Sequence, residues 1–178
     1  MLDRPVYVPG SDGTLSYDDG SAWWFCWEGS VRGVWFNTAD FAGYPVPFEA
    51  DNTEFWFYHH SSYPWDTAAF YAELWNGGVS GPATVLNQTS VTATHYAAVY
   101  AMYSSPVITE DQFWVLENTE MSAGGWPSVL GDSSAPSVVH SFCDMEPWEF
   151  GDFLIRTNGW PGGALESATW AGIKTLFD

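Results

Sequence analysis

The stretch from Asp51 to Gly78, DNTEFWFYHHSSYPWDTAAFYAELWNGG, constrains the fold more than any other part of the chain. Side chains alternate faces along a strand, so Phe55, Phe57 and His59 fall on one side of the first run and Trp56, Tyr58 and His60 on the other. In the second run Phe70, Ala72 and Leu74 oppose Tyr71, Glu73 and Trp75. The stretch reads as a β-hairpin or two neighbouring strands. Aromatic side chains on both faces of the first run leave two options: a central strand between packed layers, or a strand that presents aromatics outward for binding.

Strand signals recur on either side. Ala22 to Glu28 (AWWFCWE) and Val31 to Asn37 (VRGVWFN) flank Gly29-Ser30 and are expected to form a hairpin. Thr84 to Thr94 is Thr- and Val-rich and alternates. His95 to Tyr103 fits both helical and strand periods, and its neighbours assign it to β. Pro106 opens a short edge piece before Gln112 to Asn118 (QFWVLEN). Glu120 to Pro136 reads as a long loop anchored by Trp126 and Leu130, followed by strands at Ser137 to Cys143 and Asp152 to Asn158. Eight or nine short strands with no alternating helices predict an all-β fold. A two-layer antiparallel β-sandwich over residues 1–158 is expected, with a jelly roll as its winding. In the tail, residues 159–178, the spacing of Trp170, Ile173 and Phe177 predicts a short docked helix or a linker.

Charge narrows the partners. The 178 residues carry 22 acids against 4 bases, for a formal net charge of -18. The cations are Arg4, Arg32, Arg156 and Lys174, too few to neutralise a phosphate backbone, so nucleic acid is excluded as a partner and an anionic membrane surface is disfavoured. No run approaches the ~20 apolar residues of a spanning helix, and MLDRPVYVPGSDG does not read as a secretory signal. At this length folding buries roughly 70% of the unfolded surface, enough for a core without metal or disulfide staples. Cys26 and Cys143 lack CxxC spacing and form either a long-range disulfide or two unpaired buried thiols. Asn87-Gln88-Thr89 is a formal glycosylation sequon.

Few motifs carry chemistry. No GxSxG occurs, and His59 and His60, adjacent in a strand, point apart and cannot share one ion without a bulge. Glu73, Glu117, Glu146, Glu149 and Asp152 could form the carboxylate pair of a glycoside hydrolase, although no spacing separates such a pair from a solvated face. Calcium needs hard oxygen ligands gathered on a loop. Asp18 and Asp19 with Ser11-Asp12-Gly13, or Asp144, Glu146, Glu149 and Asp152, could hold one structural calcium; ordinary Asp-Gly turns are the other reading. The strongest signal is the aromatic excess of 12 Trp, 9 Tyr and 12 Phe, more than one core of this size ordinarily uses. Flat exposed rings stack on the apolar faces of sugars. Trp56, Tyr58, Tyr63, Trp65, Tyr71 and Trp75 are the candidate ligand-binding residues, with Trp126 and Trp148 on loops.

The order of motifs carries a resemblance. Tyr17-Asp18-Asp19-Gly20, aromatic strands, Phe70 to Trp75 with Asn76-Gly77-Gly78 and Gly81-Pro82, Ser104 to Asp111 leading into Gln112-Phe113-Trp114-Val115, and Gly151-Asp152-Phe153-Leu154-Ile155-Arg156 follow one another over residues 15–157. This order resembles a broad group of β-sandwich modules in secreted and surface proteins of environmental bacteria, and Trp170 to Lys174 looks like their short Trp-x-x-Ile-Lys endings. The resemblance implies an extracellular or cell-surface, non-catalytic role in adhesion, glycan contact or display. The expected function is therefore recognition of a polysaccharide or glycan through exposed aromatics. The alternatives are a structural subunit of a surface layer or filament, which would partner copies of itself, and a glycoside hydrolase.

Overall fold

The computed structural model describes residues 13–41, 48–134 and 136–161. Ser11, Asp12 and the helix expected around Trp170 lie outside them. Twelve strands follow in order: β1 (Gly13–Leu15), β2 (Trp24–Cys26), β3 (Val31–Asn37), β4 (Phe48–Trp56), β5 (Ala69–Asn76), β6 (Thr84–Thr92), β7 (Ala98–Ile108), β8 (Gln112–Asn118), β9 (Val129–Gly131), β10 (Ser141–Cys143), β11 (Glu146–Pro147) and β12 (Ile155–Pro161). They form a four-stranded sheet ordered β1-β12-β4-β7, a six-stranded sheet ordered β11-β10-β3-β8-β5-β6, and a two-stranded ribbon β2-β9. Every pairing is antiparallel. The fold is a β-sandwich, as the strand pattern predicts.

The winding is that of a jelly roll. Arms β3-β4-β5 and β6-β7-β8 pair as β5 with β6, β4 with β7 and β3 with β8. Rolling this long hairpin sends its middle pair to the four-stranded sheet and brings β5 beside β8 in the other. Alternation then fills the space between the sheets. Phe48, Ala50, Phe55 and Phe57 point inward from β4 and its extension, meeting Phe36, Phe70, Leu74, Phe113 and Val115 from the larger sheet. Phe36, Phe48, Phe55, Phe57, Phe70 and Phe113 are all 0% exposed, and each such burial contributes about 1.5–3 kcal/mol.

The expected β2-β3 hairpin does not form, and β4 and β5, read as a hairpin or two neighbouring strands, do not pair. β4 and β5 belong to opposite sheets, because β12 and β7 occupy both edges of β4 and the twelve-residue connection Phe57 to Ala68 crosses between layers. Likewise β3 has its edges taken by β8 and β10, so β2 turns away at Glu28 and Gly29 (φ 71° and 80°) and pairs with β9 instead. The Glu120 to Pro136 segment, expected as a loop, contains β9. Trp126 and Leu130 are buried in it, so Trp126 is an anchor and not an exposed aromatic. The Pro106 piece is the continuation of the long strand β7.

Outward-facing positions of the larger sheet build a second, smaller cluster of Trp35, Trp114, Leu116 and Phe142. The turn at residues 77–82 folds beside it, and the Trp114 indole donates to Gly78 O at 2.9 Å. Gly77 permits this approach: at φ 155° a Cβ would sit 2.4 Å from Gly81 O. Among the described residues no helix is long and apolar enough to cross a membrane.

Candidate functional site

The ends of β4 and β6, the starts of β5 and β7, and the β2-β9 ribbon converge at one end of the sandwich. Backbone links hold them there. Phe57 bridges both His95 and Val129, Tyr58 N–H donates to Ser128 O at 3.1 Å, and Tyr96 N–H donates to Phe57 O at 2.8 Å. On this frame Ala22, Trp23, Phe25, Tyr58, His60, His95 and Tyr96 line an open cleft of about 550 Å³. Among the described residues it is an aromatic and imidazole-rich surface. Trp23 is 70% exposed, and Tyr96 and Tyr63 are exposed by nearly half.

The rings support one another. Phe25 stacks on Trp27 with centroids 5.0 Å apart, Tyr58 lies 5.4 Å from Phe25, and the His95 ring meets Tyr58 edge-on at 5.1 Å. Behind them Trp27 lies parallel to buried Trp126 at 6.2 Å, and His59 stacks on Trp65 at 4.7 Å. Stacking of this kind fixes ring planes without covering their outer faces. Tyr96 is held at φ 53°, a conformation uncommon for a bulky residue; such strain persists only where the surroundings over-determine it.

Hydrogen bonds also set the imidazoles. His95 Nδ1 accepts from His59 N–H at 2.9 Å, and His60 Nδ1 accepts from Ser62 N–H at 3.1 Å. In the neutral ring the proton therefore sits on Nε2, and each imidazole lining the cleft offers an Nε2–H donor. Tyr58 and Tyr96 add hydroxyls that both donate and accept. No carboxylate, Lys or Arg is among the described lining residues. Such a surface suits a neutral, hydroxyl-rich ligand with an apolar face.

The six candidate ligand residues divide between this end and the sheet faces. Tyr58, Tyr63 and Trp65 belong to the aromatic end, with the Trp65 indole donating to Ser128 Oγ at 3.2 Å. Trp56 lies on the outer face of the four-stranded sheet, half-buried, its indole N–H bound by Glu54. Tyr71 and Trp75 lie half-buried on the outer face of the six-stranded sheet, where Trp75 donates to Glu73 at 2.8 Å. Trp23, Phe25, His60, His95 and Tyr96 complete the cleft and are not among the candidate ligand residues of the sequence, which weighs His60 only as a metal ligand. The alternation of AWWFCWE was the available signal, since it sets Trp23 and Phe25 on one side of a strand.

Carboxylates with displaced pKa values lie elsewhere. Glu117 is fully buried 3.5 Å from Arg32, and burial pushes its carboxyl up to about 8 against the pull of the guanidinium. Burial also raises Asp152 to about 6, while Ser141 Oγ donates to it; its backbone N–H is held by the buried Asp132. Glu73 is enclosed by Trp75, Gln88 and Asn118. Asp18 is taken by Arg156, with N–O distances of 2.7 and 3.0 Å, and by Gly20 N–H. Asp19 accepts from Ser21 N–H and Ser134 Oγ. Among the described residues no group of three or more His, Cys, Asp or Glu is arranged to hold a metal ion. Comparison with known proteins finds no matching family model, no matching curated protein and no matching solved structure.

Proposed function

We propose that this protein is a non-catalytic, extracytoplasmic binder of a neutral polysaccharide or glycan, and that the ligand enters the aromatic cleft at the β2-β9 end of the sandwich. The observation that carries this reading is the gathering of exposed Trp23 and Tyr96 with Phe25, Tyr58, His60 and His95 around one cleft. A sugar ring stacks on an exposed aromatic face while its hydroxyls exchange hydrogen bonds with the imidazole Nε2–H groups and the tyrosine hydroxyls. The absence of described charged residues from the lining favours uncharged sugars, and the -18 net charge disfavours acidic ones. The resemblance of the motif order to secreted β-sandwich modules, drawn from the sequence alone, supports the same reading. A panel of soluble and insoluble glycans tests it through tryptophan fluorescence and retention. One glycan is expected to shift the emission of the wild type and to lose its hold on Trp23→Ala; if no glycan is retained, the reading fails.

A second reading rests on β7, which among the described residues is an edge strand of the four-stranded sheet and carries exposed Tyr100, Met102 and Ile108. Edge strands of this length template pairing with another copy, as in a surface layer or filament. Sedimentation distinguishes the two: a monomer at all concentrations removes the assembly reading and leaves the cleft.

A further inference from the structure

Cys26 ends β2 and Cys143 ends β10, 117 positions apart in the chain, yet their sulfur atoms lie 2.9 Å from each other. The strands that carry them are not paired with one another: β2 belongs to the ribbon and β10 to the edge of the six-stranded sheet. Tight turns fix both. Glu28 and Gly29 follow Cys26 after one residue, Asp144 and Met145 follow Cys143 directly, and all four have positive φ between 49° and 80°. Asp144 ties the turns together, its carboxylate accepting from Ser30 N–H at 2.6 Å and Val31 N–H at 3.1 Å while its own N–H donates to Val31 O at 2.7 Å. The backbone thus holds the two sulfurs together whether or not they are bonded.

From this geometry we infer that Cys26 and Cys143 are a disulfide-forming pair whose oxidation staples the ribbon, and with it the Trp23 and Phe25 wall of the cleft, to the six-stranded sheet. The sequence leaves the pairing open; the proximity and the tied turns favour it. An order of events follows from exposure and charge. Cys143 is only half-buried, and its thiol is lowered chiefly by the hydrogen bond with Cys26, with the nearby Arg32 guanidinium assisting. Cys26 is buried, and its thiol is raised chiefly by the hydrogen bond to Cys143. With a small-molecule disulfide as oxidant, the Cys143 thiolate attacks one of its sulfurs, forming a mixed disulfide and expelling one thiolate. Cys26 then loses its proton to solvent and attacks the Cys143 sulfur, closing the protein disulfide and expelling the second thiolate. Two protein thiols are oxidised and one small disulfide is reduced to two thiols.

The test is incubation of the folded, reduced protein with oxidised glutathione, followed by thiol counting, intact mass and peptide mapping. Wild type is expected to lose both thiols and two hydrogen atoms of mass as a monomer, to yield a Cys26–Cys143 linked peptide, and to melt roughly 10 °C higher than the reduced form. Cys26→Ser is expected to stop at one glutathione adduct on Cys143, and Cys143→Ser to react far more slowly. Persistence of both thiols, a stable wild-type adduct or cross-linked dimers would overturn the pairing; equal reactivity of the two variants would overturn the order of attack. These readouts need no glycan, so the inference stands or falls apart from the function proposed above.

Discussion

The outer faces of the two sheets and the end of the sandwich are both rich in aromatic rings, yet they treat them differently. On each sheet a half-buried tryptophan follows a glutamate by two residues on the same strand face, and its indole N–H donates to that glutamate: Trp56 to Glu54 and Trp75 to Glu73. Each glutamate is itself nearly buried and holds further partners, Arg156 for Glu54 and Gln88 with Asn118 for Glu73. Indoles so tied lie along the sheet and become structure. At the end, rings support rings, and Trp23 is 70% exposed among the described residues. An aromatic residue stays open to solvent where its polar atom is not consumed by its own strand.

Substitutions should separate the two regions. The largest effect is expected at Arg156, which pairs with both Asp18 and Glu54 and is 11% exposed. Arg156→Ala leaves two nearly buried carboxylates unpaired and should lower stability by about 3–5 kcal/mol in urea titrations, with glycan affinity unchanged while the protein remains folded. Glu73→Ala strands the donors of Trp75, Gln88 and Asn118 and should cost about 1–3 kcal/mol. A loss smaller than that of a typical surface change would show that these indoles are not structural.

The interior adds a pH dependence. Folding raises Glu117 from 4.5 to about 8, so between those values the native state holds more protons than the unfolded chain. Stability then declines as pH rises across that window and levels off above it. Asp152, raised from 3.8 to about 6, acts in the same sense over the lower part of the window, whereas His140, lowered by burial, acts against it. Comparing Glu117→Gln with wild type cancels these other groups. The difference between pH 5 and pH 8 should exceed about 1 kcal/mol, and parallel stability curves would refute the assignment. The smallest stability change, within about 0.5 kcal/mol, is expected for Trp23→Ala, the variant that should lose the glycan.

What the sequence disclosed follows from the range of the interactions involved. β3 and β8 were legible residue for residue because VRGVWFN and QFWVLEN are short, mostly apolar and aromatic runs set between breaks, and both strands are buried on both faces. The phase of β4 was legible as well, with Phe55 and Phe57 inward and Trp56 outward. Strand partners were not. Nothing local in AWWFCWE tells Trp24 that it will oppose Gly131, since that choice depends on both edges of β3 being filled. The cleft was half legible for the same reason. Tyr58, Tyr63 and Trp65 lie in one connection and could be named together, while Trp23, His95 and Tyr96 arrive from segments distant in the chain.

The rolled hairpin also sets the order in which this chain can fold. Of its three strand pairs only β5-β6 is joined by a short connection; β4-β7 and then β3-β8 enclose it like successive bracketings. Each outer pair closes a loop whose entropic cost falls once the pair inside it has formed, so assembly runs from the middle of the sequence toward its ends. Until that zipping reaches β12, the inward Phe48 and Phe55 of β4 lack one neighbouring strand, and the ribbon that frames the cleft, whose β9 also lies late in the chain, waits on the same closure. The aromatic end of the protein is thus completed after the rolled sandwich beneath it, and slow folding is the kinetic consequence of a cleft assembled from sequence-distant strands.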